Sequence, residues 1–293
     1  MVKNPLVSIA VTCYNDAHFI NACLDSLLGQ SFKDFELIVV DDCSTDNSFE
    51  VIKKFAVRDK RIRAFRNERN LGVSGNRNIC LSKARGEYLF FTDSDCVASK
   101  NWVAEGLKTF RGTGCAAVEG SIVYVSEDFK PSYSDRVVRN SFGGHYMTAS
   151  MAYRVGVALK AGGFSSKVPF LEDRDFALRV MKHGRIIFNK NMSVVHQRII
   201  WNAKSFFVRY SNDIVVRCVF NREHGLKVSK RYPFVQLSEL FLIFFPFILF
   251  MDLFRYKFSS PYDFLLLLIR YPRAFYLRFL VWKTAFREKL FMI

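Results

Sequence analysis

Apolar and polar positions alternate along the first half of the chain so as to predict strands and helices in turn. Val7–Thr12 (VSIAVT) is a β-branched apolar run that reads as a strand. Phe19–Leu28 carries its apolar residues at helical spacing and ends near Gly29. Phe35–Val40 (FELIVV) is a second strand, stopped by Asp41-Asp42, and Phe49–Val57 is helical again. Ile62–Phe65 is a short strand, and the loop Asn67–Asn70 and Gly72 lead into a helix over Val73–Ala84. Tyr88–Thr92 (YLFFT) is a fourth strand and Ala116–Val125 another. Phe170–His183 reads as a helix entered through Glu172-Asp173, and Ile186–Phe188 and Met192–Val195 are two short β signals. Strand–helix units on short connections predict an α/β fold, a Rossmann-like and mainly parallel sheet with helices on both faces. In such sheets ligands bind beyond the carboxyl ends of the strands. The polar clusters TCYND, DDCSTD and DSD fall at those ends.

Beyond about residue 200 the pattern changes. Ser205–Phe220 reads as a basic amphipathic helix. Leu240–Met251 is a run of twelve apolar residues interrupted only by Pro246. Phe264–Ile269 is apolar again, and Ala274–Trp282 mixes aromatics with Arg278. The pattern therefore divides the chain into an α/β domain over 1–230 and a hydrophobic, basic helical region over 231–293. Net charge adds to this: of the +16 total, the stretch after Val195 holds 16 Lys/Arg against 6 Asp/Glu. Basic residues among long apolar runs suit an anionic membrane surface better than a nucleic-acid groove. A spanning helix needs roughly 20 apolar residues. Pro233–Phe254 reaches that length only by including Gln236, Ser238, Glu239 and Asp252. The expectation is attachment in the interface with snorkelling cations, one inserted segment being the alternative. The bland reading is that these helices pack on the α/β domain or on a second subunit, as a homodimer. Seven scattered cysteines without a CxxC pair argue for reduced thiols on the cytoplasmic face. Residues 1–6 run straight into the first strand, with no signal-peptide core.

Each candidate chemical residue also has an ordinary reading. Asp93-Ser94-Asp95 follows a strand directly, where two carboxylates can reach one hard cation, yet the same pattern is often a solvated turn. A second such triplet, Asp173-Arg174-Asp175, opens a helix instead. Glu172-Asp173 can complement a helix N-terminus or supply a general base. Asp41-Asp42 can be a turn cluster or hydrogen-bond a nucleotide base. Arg77 can be a surface charge or a phosphate contact. His196 can be a half-buried histidine or a third metal ligand.

The order of these elements is more specific than any one of them. VSIAVTCYND, FELIVVDDCSTDNS, RNLGVSGNRN, GEYLFFTDSDC, GGF, FLEDRDFALRVMKHG and VVHQ together resemble the family 2 inverting glycosyltransferases with the GT-A fold, over roughly residues 5–200. The resemblance implies a nucleotide diphosphate sugar donor, held by Thr12, Tyr14, Asn15, Asp42, Arg77, Asp93 and Ser94. It implies Mg²⁺ or Mn²⁺ held by Asp95, Asp93 and His196, with Asp95 the direct ligand, Asp93 also on the ribose side and His196 near the metal or diphosphate. It implies Asp173 as catalytic base, with Glu172 beside it. The chain lacks the QxxRW element of processive synthases, since His196-Gln197 is followed by Arg-Ile-Ile-Trp. That points to single-sugar transfer onto a lipid-linked or surface-glycan acceptor, its pocket expected within Val125–Gly144. Two other readings remain: a catalytically decayed membrane-bound interaction protein, and a nucleotidyltransferase on a similar sheet. The second calls for a phosphate-gripping glycine loop that TCYND does not offer.

Overall fold

A computed structural model describes residues 4–168 and 171–204, residues 257–270, and positions 206, 220, 272, 276 and 279. Most of the 205–293 region, including Pro233–Phe254, lies outside the described residues. The chain forms two compact units, Met1–Glu127 with Val138–Gln197, and Asp128–Val137 with Arg198–Ile293.

The first unit is built on one eight-stranded sheet. Its early part alternates β1 (Val7–Cys13), α1 (Ile20–Leu28), β2 (Phe35–Asp41), α2 (Ser48–Arg58), β3 (Ile62–Arg66), α3 (Gly72–Lys83) and β4 (Tyr88–Asp93). Next come β5 (Cys96–Ala98), α4 (Trp102–Thr113), β6 (Ala117–Tyr124), β7 (Met151–Arg154), α5 (Val155–Lys160), α6 (Glu172–Met181) and β8 (Ile186–His196). The spatial order is β3-β2-β1-β4-β7-β6-β8-β5.

β3, β2, β1 and β4 are mutually parallel. Beyond β4 the sheet is mixed: β7 runs antiparallel to both β4 and β6, β8 parallel to β6, and β5 antiparallel to β8. The parallel character read from the sequence thus belongs to the first half.

Strand alternation sorts the core into two layers. Ile9, Val11, Leu37, Val39 and Phe90 pack with Leu24, Leu27, Trp102 and Phe110 on one face. Ala10, Ile38, Val40, Leu89 and Phe91 pack with Cys80, Phe176 and Val180 on the other. Both faces of β1 and β2 are buried, which is why these strands read as continuous apolar runs.

The two β signals expected after Gly184 are one strand. Their separation in the sequence, Asn189-Lys190-Asn191, is a bulge: Gly120 of β6 pairs with Asn189, but the next residue, Ser121, pairs with Ser193. Gly120 is required there, because a Cβ would lie 2.1 Å from both the Met192 carbonyl oxygen and Ser150 Oγ.

In the second unit a buried carboxylate gathers two distant segments. Asp263 Oδ1 accepts from Ser132 Oγ and Ser134 N, both at 2.7 Å, and its Oδ2 accepts from Ser259 N at 2.8 Å and Ser260 N at 2.9 Å. Arg198 Nε donates to Asp135 at 2.7 Å. Leu266 and Leu267 are buried with Tyr133 and Phe206, while Phe264, Leu265 and Leu268 on the helix over 261–270 are exposed. Among the described residues no helix is long and apolar enough to cross a membrane.

Gly120→Ala should force the bulge apart and cost roughly 1–3 kcal/mol, the usual range for overpacking. A lowered urea midpoint with unchanged slope is expected; an unchanged midpoint would show that the bulge relaxes freely.

Candidate active site

The carboxyl ends of β1, β2 and β4 lie side by side. Thr12 sits in register with Val40 on one side and Asp93 on the other. The loops beyond these strands are tied together. Asn15, at φ 56°, accepts from Thr45 N at 2.8 Å and donates its own N–H to Ser44 Oγ at 2.9 Å. Tyr14 is left half exposed beside them. Asp42 is buried and accepts from Leu71 N at 2.7 Å, Asn67 Nδ2 at 2.9 Å and Gly72 N at 3.0 Å. Its carboxylate thereby fixes the loop that opens α3.

Asp93, Ser94 and Asp95 turn to three different partners. Asp93 Oδ1 lies 3.4 Å from Arg77 Nη2. Ser94 Oγ donates to Asp16, whose carboxyl is raised by burial and partly held down by that hydrogen bond. Asp95 Oδ2 lies 3.4 Å from His196 Nε2. The two outer carboxylates therefore diverge. Among the described residues, the group able to share a cation is Asp95, Cys96 and His196, whose ligand atoms lie within 4.8 Å of one another.

That donor set fits a hard divalent ion at Asp95 and His196. His196 Nδ1 lies 2.8 Å from the Gln197 carbonyl oxygen, and the tautomer that donates there leaves Nε2 to face Asp95 as an acceptor. Two acceptors then face each other with a cation's place between them. Cys96 contributes least, because burial, reinforced by Asp95, pushes its thiol well above the usual range and keeps it neutral. Backbone pairing holds the geometry: Cys96 opposes His196, and Gln197 N donates to the Asp95 carbonyl at 2.8 Å.

Arg77 joins this strand-end cluster to α6. Its side chain is 7 % exposed and contacts Asp93, Asp173 and Glu172, the last at 3.0 Å. Burial opposes its charge, but Asp173, Asp93 and Glu172 outweigh burial and hold the guanidinium protonated. Asp173 also accepts from Thr148 N and Thr148 Oγ1, both at 3.1 Å. Burial raises the Asp173 carboxyl to about 6, with Arg77 pulling it back and Glu172 adding to the rise. Glu172 and Asp173 lie in the first turn of α6, and their side-chain bonds go to Arg77 and Thr148, not to the helix's own N–H groups. Glu172 Oε2 is buried without a hydrogen-bond partner. The second acidic triplet is structural at its far end, where Asp175 pairs with Arg179 at 2.5 Å, one turn on.

Residues 8–161 match the family model described as Glycosyl transferase family 2. The chain belongs to glycosyl transferase family 2. An uncharacterized glycosyltransferase of Haemophilus influenzae is 44% identical over 91 residues, 31% of this chain and 36% of that protein. The match thus spans about a third of that relative's length. The Escherichia coli UDP-Glc:alpha-D-GlcNAc-diphosphoundecaprenol beta-1,3-glucosyltransferase WfaP is 29% identical over 233 residues, 77% of this chain and 89% of that protein. Among solved structures, the mannosyltransferase PcManGT from Pyrobaculum calidifontis, in complex with GDP-Man and Mn²⁺, superposes with a TM-score of 0.62. It is 18% identical, covering 97% of this chain and 88% of that one, and the likeness shows the fold. The fold is the GT-A fold expected from the motifs.

This family 2 chain also uses residues at its site that sequence reasoning did not select. Thr148 lies in a stretch without strand or helix spacing. Glu119 reads as one more position of a strand. It is buried, and its carboxylate accepts from Asn140 Nδ2 at 2.8 Å and from the N–H groups of Gly144, His145 and Tyr146 at 2.7, 3.0 and 2.7 Å. It thereby holds the loop that delivers Thr148 to Asp173. A lone acid inside an otherwise apolar strand (AAVEGSIVY) is the signal that marks it.

Arg77→Met should leave three carboxylates without their shared cation and cost roughly 3 kcal/mol at neutral pH. The folded-state Asp173 carboxyl is already raised, so it takes up a proton before the unfolded chain does. The loss should therefore shrink as pH falls from 7 to 5. Denaturant midpoints at both pH values test this, and an equal loss at both would contradict the shared-cation role.

Proposed function

We propose that this chain catalyses the inverting transfer of a single sugar from a nucleotide diphosphate sugar to a hydroxyl of a glycan or lipid-linked acceptor, at the cytoplasmic face of the membrane. One observation carries the reading. A single buried guanidinium, Arg77, contacts both Asp93 at the strand end and Asp173 at the start of α6. The donor side and the candidate base are thus held at one point in a member of family 2.

In this reading Thr12, Tyr14, Asn15 and Asp42 form the nucleotide side, with Asp93 and Ser94 next to the ribose and Arg77 beside them. Asp95 and His196 would hold Mg²⁺ or Mn²⁺, which when bound offsets the charge of the departing diphosphate. Asp173 accepts the proton of the attacking hydroxyl. With its carboxyl raised to about 6, it is ionised near neutrality and still basic enough to take that proton. Thr148 and Arg77 fix both of its oxygens, so the base cannot swing away between turnovers. Glu172, the third carboxylate on Arg77, helps to keep that guanidinium charged beside the base. Attack from the Asp173 side, opposite the diphosphate, inverts the anomeric centre.

The E. coli relative is named for a diphosphoundecaprenol-linked acceptor, which supports a lipid-linked acceptor here. The basic, aromatic tail supports membrane attachment, as do the exposed Phe264, Leu265 and Leu268.

A panel of UDP- and GDP-sugars with Mn²⁺ should reveal one donor whose hydrolysis releases nucleoside diphosphate and stops with EDTA. Asp173→Asn should keep affinity for that donor while kcat falls about 10²–10⁴-fold. Wild-type kcat/KM should fall on the acid side of about pH 6, where Asp173 takes up its proton. Turnover surviving EDTA would sink the metal assignment, and weaker donor binding with intact kcat would sink the base assignment.

For the membrane reading, the full chain should sediment with phosphatidylglycerol vesicles at low salt and come off at high salt. A chain that stays in the supernatant with those vesicles, free of detergent, would refute attachment.

A further inference from the structure

The sheet-bearing unit also holds a cleft of about 940 Å³ away from the Arg77 cluster. Ser121 and Val123 of β6 and Ser193 of β8 lie along it. One side is the start of α4, with Asn101 and Glu105. The other sides are the β8 bulge, with Lys190 and Asn191, and the Asn140–Phe142 segment.

The chemistry of the lining narrows the occupant. Lys100 and Lys190 are balanced by Glu105 and Glu127, so the cleft favours neither an anion nor a cation. Its apolar lining residues are Ile122, itself 1 % exposed, Val123 and Phe142, set among a larger number of polar side chains. What remains is a set of amides, hydroxyls and carboxylates. The side chains of Asn101, Glu105, Lys190 and Asn191 make no hydrogen bond or ion pair with another described residue. They are therefore open to a ligand with many hydroxyl groups.

An aromatic ring stands at the rim. Phe142 is 83 % exposed, in a loop anchored on either side of it. Asn140 pairs with Ile122 through both backbone groups, at 2.9 and 3.0 Å, and its side chain is held by Glu119. Gly143, at φ 80°, has its backbone against Phe188, where a Cβ would lie 2.9 Å from the Phe188 Cβ. Phe142 thus lies on a short stretch between two anchored residues, Asn140 and Gly143. The electron-rich face of such a ring suits the C–H face of a pyranose.

The cleft shares two strands with the candidate active site. Ser193 precedes His196 by three residues on β8, and Ser121 precedes Tyr124 by three on β6, where Tyr124 pairs with His196. At about 3.3 Å per residue this is roughly 10 Å along the strands. The loop that forms one wall runs on to Thr148 and so to Asp173.

We infer that this cleft is a second carbohydrate-binding site, taking a neutral oligosaccharide stretch of the acceptor away from the hydroxyl that reacts. The inference rests on the glycan-acceptor reading above and adds that recognition extends beyond the reacting sugar. Phe142 stacks on a ring, and Asn101, Glu105 and Asn191 bridge its hydroxyls.

The test separates binding from chemistry. The full chain is screened on an array of immobilised neutral oligosaccharides of two to eight sugars, and hits are measured by calorimetry. Phe142→Ala and Asn191→Ala are compared with wild type, and hydrolysis of the donor identified by the nucleotide-sugar panel is followed in parallel. Wild type should bind at least one oligosaccharide, each variant should bind it at least tenfold more weakly, and donor hydrolysis should not change. Equal binding by wild type and both variants places the glycan elsewhere and overturns the site. Failure to bind any oligosaccharide in a chain that hydrolyses donor overturns it too. If wild type hydrolyses no donor but the variants still lose oligosaccharide binding, the cleft stands and the transfer reading falls.

Discussion

The buried guanidinium of Arg77 is the contact on which the rest of the site depends. Three carboxylates converge on it from two elements far apart in the chain, Asp93 from β4 and Glu172 with Asp173 from α6. Without a cation there, burying these acids together would be prohibitive, and the start of α6 could not approach the strand ends. Arg77 reaches that point because α3 begins where it does. Asp42 sets that start by binding Leu71 N and Gly72 N. A carboxylate at the end of β2 thus positions a guanidinium that in turn positions a carboxylate on α6.

Asp173 is gripped from a second direction as well. Glu119 draws three consecutive backbone N–H groups around its carboxylate, and the loop so formed presents Thr148. Both supports are charge-assisted, and both originate on central strands or the helices packed against them. A carboxylate held from two sides in this way has its orientation set before any ligand arrives.

Much of this was legible in the sequence, for identifiable reasons. Expected strands and helices in the first hundred residues match the structure with ends differing by no more than two residues, because strands buried on both faces leave long apolar runs. Polar clusters after β1, β2 and β4 pointed to the candidate site because strand ends are where side chains escape the core. Other features left no pattern. β5 has three residues and β7 four, too few to establish a period, and α4 went unread. The antiparallel half of the sheet depends on how the stretch from Ser126 to Met147 returns, and that stretch has no periodicity. The divergence of Asp93 and Asp95 onto different partners is set by Arg77 and His196, which no local spacing reveals. The sequence-level division at residue 230 also differs in kind from the two structural units, since the second unit draws on a short segment inside the first half.

That last feature bears on how such a protein can be shortened or recombined. Asp128–Val137 leaves one unit, joins the other and returns, while Arg198 onward never comes back. Cutting the chain after Gln197 would remove Asp263 and Arg198 but leave Ser132, Ser134 and Asp135 behind, a ten-residue stub stripped of the groups that satisfy it. The border between the units is therefore not a point on the chain. An exchange of the tail that leaves the decapeptide behind parts Asp263 from Ser132 and Ser134 and Arg198 from Asp135, so two stretches far apart in sequence make one exchangeable piece.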